Sequence, residues 1–319
     1  KGDTVLVAQP NIPEVLIVTY ALNKIGAVTN LVHPFTPYNQ LSAIYKKTNS
    51  KLAILFEQRI AKEVEQYRGF AGNLVVTRIE DYLPLPKKVF YHVFMNKAIR
   101  RKLGKWRGKF DGFKYLCQFK KGKNEVIENT NNSKEAAIML HSGSTTGDPK
   151  TIMLSNDAFN FIANDSYDFV CLNRKQLKGT VMLSVLPSFH GFGFCMTMHT
   201  PLCLGFGVAL VPKFTTTDVV EVMNKNKMVC ACGIPGIYEA LLSDPHFTNN
   251  KRLKYLHICF SGGDSMSASL KDRWDTQMKN SGSHCQLFEG YGLTETSPVV
   301  SIESKNSLKL GSVGKIVPN

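Results

Sequence analysis

Short apolar runs alternate with helical patterns along most of this 319-residue chain, and that alternation predicts its layers. Residues 5–8 form a strand-like run, Pro13 opens a helix that closes near Gly26, and residues 27–32, 52–56 and 74–77 predict further strands. Helical spacing falls over 40–48 and 60–67 between them. After a break, residues 136–140 and 151–154 are two apolar runs clamping a polar loop, and Ser155 is placed to cap a helix reaching Phe169. The pattern then repeats: strands over 181–186, 208–211, 228–232 and 255–260, with helices over 218–225 and 235–242. Such alternation predicts an α/β fold with mostly parallel sheets and flanking helices.

The loop between the two clamping runs reads His141-Ser142-Gly143-Ser144-Thr145-Thr146-Gly147-Asp148-Pro149-Lys150. Glycines let backbone N–H groups approach an oxyanion, and hydroxyls and one lysine complete its coordination, so the composition suits a polyphosphate. A solvated Ser/Gly linker has a similar composition but would not be clamped between two strands. The NTPase P-loop does not fit: Gly143 and Gly147 are one residue too close, and a strand follows Lys150 where a helix should.

Three more stretches carry candidate chemistry. Pro187-Ser188-Phe189-His190-Gly191-Phe192-Gly193-Phe194 follows a strand end, where α/β folds place sites, although a single histidine is more often a satisfied structural residue. Ser261-Gly262-Gly263-Asp264 is either a plain tight turn or a place where backbone can approach a flat ring or a phosphate. In Leu287-Phe288-Glu289-Gly290-Tyr291-Gly292-Leu293-Thr294-Glu295-Thr296, Tyr291 offers a stacking face, Gly292 clearance, Thr294 a hydroxyl and Glu295 a hard oxygen for Mg²⁺.

In this order and spacing the motifs resemble those of the adenylate-forming enzymes: acyl-CoA synthetases, coumarate-CoA ligases, beetle luciferases and peptide-synthetase adenylation domains. Residues 2–34 also resemble that superfamily's first block. The resemblance implies the fold of its large N-terminal domain and an ATP-dependent activation of a carboxylic acid, a fatty acid above all, to an acyl-adenylate that coenzyme A then attacks. It implies that Ser142, Gly143, Ser144, Thr145, Thr146, Gly147 and Lys150 hold the β- and γ-phosphates. Gly263 and Asp264 would line the adenine, and Glu289, Gly290, Tyr291 and Gly292 would complete the nucleotide site. Thr294 would bind the α-phosphate and Glu295 would ligate Mg²⁺. His190 would lie near the substrate carboxylate, with Gly191 and Phe192 in the acyl pocket; Lys150, His190, Thr294 and Glu295 form the catalytic set. Two departures stand out: Thr151 replaces the glycine usual after the lysine, and Asp264-Ser265 replaces Ala-Pro.

An adenylation domain loading a carrier protein, or a luciferase-like oxidase, would share every motif; a non-catalytic nucleotide- or acyl-binding module is the reading outside enzymes. The resemblance divides the chain into an α/β part over 1–86, a basic excursion over 87–123 and a nucleotide- and acyl-binding part over 136–319. Residues 311–315 resemble a block that precedes the ribose-binding aspartate, hinge and small C-terminal domain of the superfamily. The chain is therefore expected to be cut at both ends, to lack that small domain and to turn over poorly alone.

Charge changes the picture at one place. The chain carries a formal net charge of +14, and residues 87–123 hold thirteen Lys or Arg against one acid, Asp111. Aromatics are interleaved there, and Val89, Phe90, Val93 and Phe94 fall at helical spacing. A solvated excursion, a basic amphipathic segment on an anionic membrane and a nucleic-acid surface all fit this composition. Nucleic acid is not expected, because the remainder of the chain is close to neutral. No run reaches the length of a transmembrane helix. The eight cysteines lack C-x-x-C spacing and mostly lie in apolar segments, which predicts buried free thiols in a reducing cytoplasm, with peripheral contact at the inner membrane face left open.

Overall fold

The computed structural model describes residues 1–70, 72–95, 97–104, 113–116, 132–142, 150–170, 172, 174–304 and 311–317. The chain divides into two compact units, 1–153 and 154–319. The α/β reading holds in both: each carries a seven-stranded, mostly parallel sheet with flanking helices.

The first sheet contains β1 (Thr4–Ala8), β2 (Val28–Leu31), β3 (Ser50–Phe56), β4 (Leu74–Thr77), β5 (Phe113–Tyr115), β6 (Ala136–His141) and β7 (Thr151–Ser155), in the order β5-β4-β3-β1-β2-β6-β7. β1 is buried at every position because it is central and covered on both faces. Leu6, Leu41, Leu55, Ile60, Tyr67 and Val76 anchor the core on one side of it. The division of the chain falls within β7, after Met153, and both strands that clamp the polar loop pair into this first sheet. Ser155 caps the helix Asn156–Val170, accepting the Ala158 N–H at 3.3 Å.

One predicted helix is corrected. Residues 60–67 are split between an α-helix, Glu57–Lys62, and a 3₁₀ segment, Val64–Phe70. In a 3₁₀ turn residues three apart eclipse, so Tyr67 and Phe70 enter the core together. Both rings meet Tyr38 edge-on, at 5.3 and 5.9 Å between centroids. Tertiary packing of these aromatics outweighs the 3.6-residue pattern.

The second sheet contains β8 (Thr180–Ser184), β9 (Gly207–Leu210), β10 (Lys227–Gly233), β11 (Ile258–Ser261), β12 (Gln286–Tyr291), β13 (Ser301–Ile302) and β14 (Lys315–Ile316), in the order β14-β13-β12-β11-β10-β8-β9. The strand expected from 255 starts three residues later, because Asn250 caps a 3₁₀ turn over Lys251–Tyr255 that buries Leu253. β13 and β14 join antiparallel, a pairing the periodicity did not indicate. Tyr238 and Trp274 pack edge-to-face at 4.8 Å, and the Tyr238 hydroxyl donates to the Phe260 carbonyl at 2.7 Å, fixing the helix Pro235–Leu242 against β11. Cys195, Cys230, Cys232, Cys259 and Cys285 are buried free thiols as expected; Cys203 is exposed, and Cys117 and Cys171 lie outside the described residues.

Glu14 supplies a stability prediction. It is buried in the first turn of the helix Pro13–Lys24, with Oε2 lacking a hydrogen-bond partner. Burial pushes its pKa from 4.5 up to about 7, with a smaller push from Asp81 and an opposing pull from its own backbone N–H. The folded state then binds more protons than the unfolded state between those pH values, so stability falls as pH rises through that window. Glu14→Gln should flatten this slope and stabilise the first unit by up to about 3 kcal/mol at pH 8, read by urea unfolding at pH 5 and pH 8. An unchanged slope would show that Glu14 is not its source.

Candidate active site

Strands β8, β10, β11 and β12 are mutually parallel, so their C-terminal ends share one edge of the second sheet. Open α/β sheets place ligands at such an edge. Here the chain leaving β8, the turn after β11 and the turn after β12 enclose a cavity of about 480 Å³. His190, Gly191 and Phe192 come from the first, Ser261, Gly262 and Gly263 from the second, and Gly290, Tyr291, Gly292 and Thr294 from the third. Three motifs separated by up to a hundred residues meet because parallel strands deliver their ends to the same side.

The segment after β8 is held firmly. Phe192–His199 forms a π-helical stretch whose Thr197 hydroxyl donates to the Gly193 carbonyl at 2.6 Å and sits 2.7 Å from Ser184 Oγ at the end of β8. The Phe192 ring lies against the backbone of Gly262, where a Cβ would come within 3.3 Å of two ring carbons. That contact joins the expected acyl wall to the expected adenine wall. His190 is exposed at this wall, its ring 4.7 Å from that of Phe189.

Polar groups on the cavity are few. Ser261 is fully buried and its Oγ has no partner, and a buried hydroxyl left unsatisfied costs roughly 1–3 kcal/mol. Tyr291 is half-exposed, and its carbonyl accepts the Val300 N–H at 2.8 Å, which fixes the backbone beneath the ring. Thr296 closes the next turn: its Oγ1 accepts the Leu293 N–H at 3.2 Å, holding Thr294 on the cavity and leaving Glu295 exposed.

Not every residue singled out in the sequence lines this cavity. Asp264 is exposed and its Oδ1 accepts the Ser265 N–H at 2.8 Å. Glu289 accepts the Met266 N–H at 3.1 Å, and its own N–H donates to Glu303 at 2.9 Å, so it braces the two turns. Pattern reading passed over Met196, Ile234, Phe260, Pro298, Val299 and Ile302, which make the apolar wall. Their signal was no more than apolar residues beside strand ends.

The loop in the first unit is visible at its base. His141 Nε2 donates to Asn30 Oδ1 at 2.6 Å, and the Thr151 hydroxyl approaches His141 Nδ1 at 3.4 Å. Burial, with Lys47 adding to it, holds the His141 pKa below the usual histidine value, which agrees with this neutral tautomer. The Ser142 N–H donates to the Lys150 carbonyl at 3.1 Å, and the Lys150 side chain is exposed. Gly143, Ser144, Thr145, Thr146 and Gly147 lie outside the described residues.

Known proteins resemble this chain along its whole length. It is 27% identical over 318 residues to a long-chain-fatty-acid–CoA ligase of Bacillus subtilis, covering 98% of this chain and 55% of that one. It is 25% identical over 325 residues to 4-coumarate–CoA ligase 1 of Arabidopsis thaliana, covering 100% of this chain and 53% of that one. In fold it is similar to the crystal structure of the anthranilate CoA ligase AuaEII in complex with anthranoyl-AMP, with TM-score 0.74, 18% identity and coverage of 99% and 54%. It is likewise similar to the N-terminal domain of FACL13 from Mycobacterium tuberculosis, with TM-score 0.73, 18% identity and coverage of 99% and 69%. The chain spans about half the length of the curated relatives it matches. A model of the family described as AMP-binding enzyme matches residues 1–319, and the chain belongs to that family.

Proposed function

We propose that the protein to which this chain belongs is an AMP-forming acid–CoA ligase acting on a fatty acid. The observation that carries the reading is the single cavity in which the His190–Phe192 wall meets Gly263 and the Gly290–Thr294 turn, within a member of the AMP-binding family. The wall made by Phe192, Met196, Ile234, Phe260, Val299 and Ile302 suits an aliphatic tail, and the exposed His190 imidazole suits the carboxylate end.

In this reading the substrate carboxylate attacks the α-phosphorus of ATP, a carboxyl–phosphoryl bond forms, the α–β phosphoanhydride breaks and pyrophosphate leaves. The thiolate of coenzyme A then attacks the acyl carbon, having given up its proton, and AMP leaves with the bonding pair. Both partners of the first step are anions, so positioning and positive charge are what the protein contributes. Ser142 to Gly147 and Lys150 take the β- and γ-phosphates, Thr294 the α-phosphate, and Tyr291 the base, with Gly263 at the adenine.

Among the described residues no cluster of three His, Cys, Asp or Glu is placed to cage a metal. Mg²⁺ that rides on a nucleotide needs only one or two carboxylates besides phosphates and water, and exposed Glu295 fits that need. Bound there, the ion would offset charge on the phosphates. A cytoplasmic setting suits the buried free thiols, above all Cys259 and Cys285, whose sulfurs lie 3.5 Å apart.

The test is ATP–pyrophosphate exchange by the longest natural form of the protein across aliphatic and aromatic acids, followed by thioester formation with coenzyme A. Exchange that depends on a fatty acid and proceeds to the CoA thioester is the expected result. Exchange without thioester formation would favour a carrier-loading domain, and no exchange with any acid despite bound ATP would leave a binding module.

A further inference from the structure

We infer that the helical segment 85–102 is a docking surface for an anionic lipid bilayer. The inference stands on the surface of the first unit alone and does not depend on which reaction the protein performs.

The segment wears its polarity inside out. The helix Leu85–Phe90 runs into a π-helical turn, Tyr91–Met95, in which Tyr91 and His92 bond toward the protein. The Tyr91 hydroxyl accepts a hydrogen bond from Gln58, and His92 Nδ1 lies 3.0 Å from Glu80 Oε2, whose residue is buried. The apolar side chains face outward: Leu85 is 75% exposed, Val89 55%, Phe90 59%, Val93 48% and Phe94 69%. Positions 85, 89 and 93, and 90 and 94, repeat at four-residue spacing, so these side chains form one ridge, on which the Phe90 and Phe94 rings stand 5.0 Å apart. A folded protein rarely leaves such a cluster in water unless something covers it.

The helix that follows the ridge is anchored in the core and carries exposed cations. The next helix, Lys97–Gly104, buries Leu103 in the first core and packs Ile99 against it. That attachment leaves Lys97, Arg101 and Lys102 exposed, and exposed Lys87 stands at the other end of the ridge. The sequence over 87–123 carries thirteen cations against one acid, a balance that suits an anionic partner. Aliphatic and phenyl side chains flanked by Lys and Arg match the interface of an anionic leaflet, where apolar groups enter the acyl boundary and cations meet headgroups. A nucleic acid would satisfy the cations but offer Leu85, Val89 and Val93 nothing apolar. A second copy would bring the same cations face to face. No helix among the described residues is long and apolar enough to cross a membrane.

The experiment is co-sedimentation of the full-length protein with vesicles of phosphatidylcholine alone and of phosphatidylcholine with about 30% phosphatidylserine at ~0.1 M salt. Two variants are compared with the wild type: Phe90→Ser with Phe94→Ser, and Arg101→Glu with Lys102→Glu. Every changed side chain but that of Arg101 and Lys102 belongs to the ridge, and all are exposed, so the thermal midpoint should stay unchanged and report that the fold is intact. Expected are binding that requires phosphatidylserine, weakens with salt and drops about tenfold or more in each variant. The inference is overturned if the wild type ignores anionic vesicles, or if neither variant changes their binding. It is also overturned if the phenylalanine variant dissociates a dimer without affecting vesicles, or if the cations retain an oligonucleotide while vesicles are ignored.

Discussion

Gly292→Ala should cost about a hundredfold or more in ATP–pyrophosphate exchange, although it adds one methyl group. A Cβ at this position would stand 1.5 Å from the Pro298 carbonyl oxygen, 2.5 Å from its carbonyl carbon and 2.9 Å from the Val299 Cα. All three are backbone atoms, so no side-chain rotation relieves the clash and the strand-to-turn segment must move. Overpacking of this kind costs about 1–3 kcal/mol or more in stability, and displacing Tyr291 and Thr294 by about 1 Å is enough for the loss of rate. Gly236→Ala is the control: it lies in the helix Pro235–Leu242 with nothing within 4 Å of its added Cβ, and should be neutral or slightly stabilising. Wild-type exchange and an unshifted melting midpoint for Gly292→Ala would show that the turn tolerates the methyl group and that its close approach is not what places the nucleotide contacts.

Lys150→Ala and Glu295→Ala should each reduce exchange by about 10²–10³-fold while leaving the melting midpoint within a degree or two, the reverse balance of stability and activity. Both side chains are exposed, so neither truncation opens a cavity or strands a buried charge. The backbone at Lys150 keeps its role in either case, because the Ser142 N–H bonds to its carbonyl and not to its side chain. On the proposed function, what is lost is charge at the departing pyrophosphate for Lys150 and an oxygen for Mg²⁺ for Glu295. The two separate in their response to the ion: raising Mg²⁺ should partly restore Glu295→Gln and leave Lys150→Ala unchanged. A Glu295→Gln variant with the wild-type Mg²⁺ requirement would remove the carboxylate from the metal role.

The sequence by itself determined the elements and the family. Short apolar runs between helical patterns are local properties, so the α/β layering, the Ser155 cap and most strands were legible without a structure. The glycine-rich turns were legible too, because a motif of consecutive residues carries its composition with it, and the family match spans the same 319 residues. What needed the tertiary structure is everything that depends on residues far apart in the chain. The apolar wall of Met196, Ile234, Phe260 and Ile302 exists because parallel strands end on one edge, and no residue among them advertises that role alone. The 3₁₀ turn at 64–70 replaced helical continuation because Tyr67 and Phe70 gain more by packing on Tyr38 than the local pattern loses. Along 85–94, periodicity identified an apolar stripe but not its direction. Tyr91 bonds to Gln58 and His92 to Glu80, so that face of the segment meets the protein and the stripe is left pointing outward, which only contacts distant in sequence could decide.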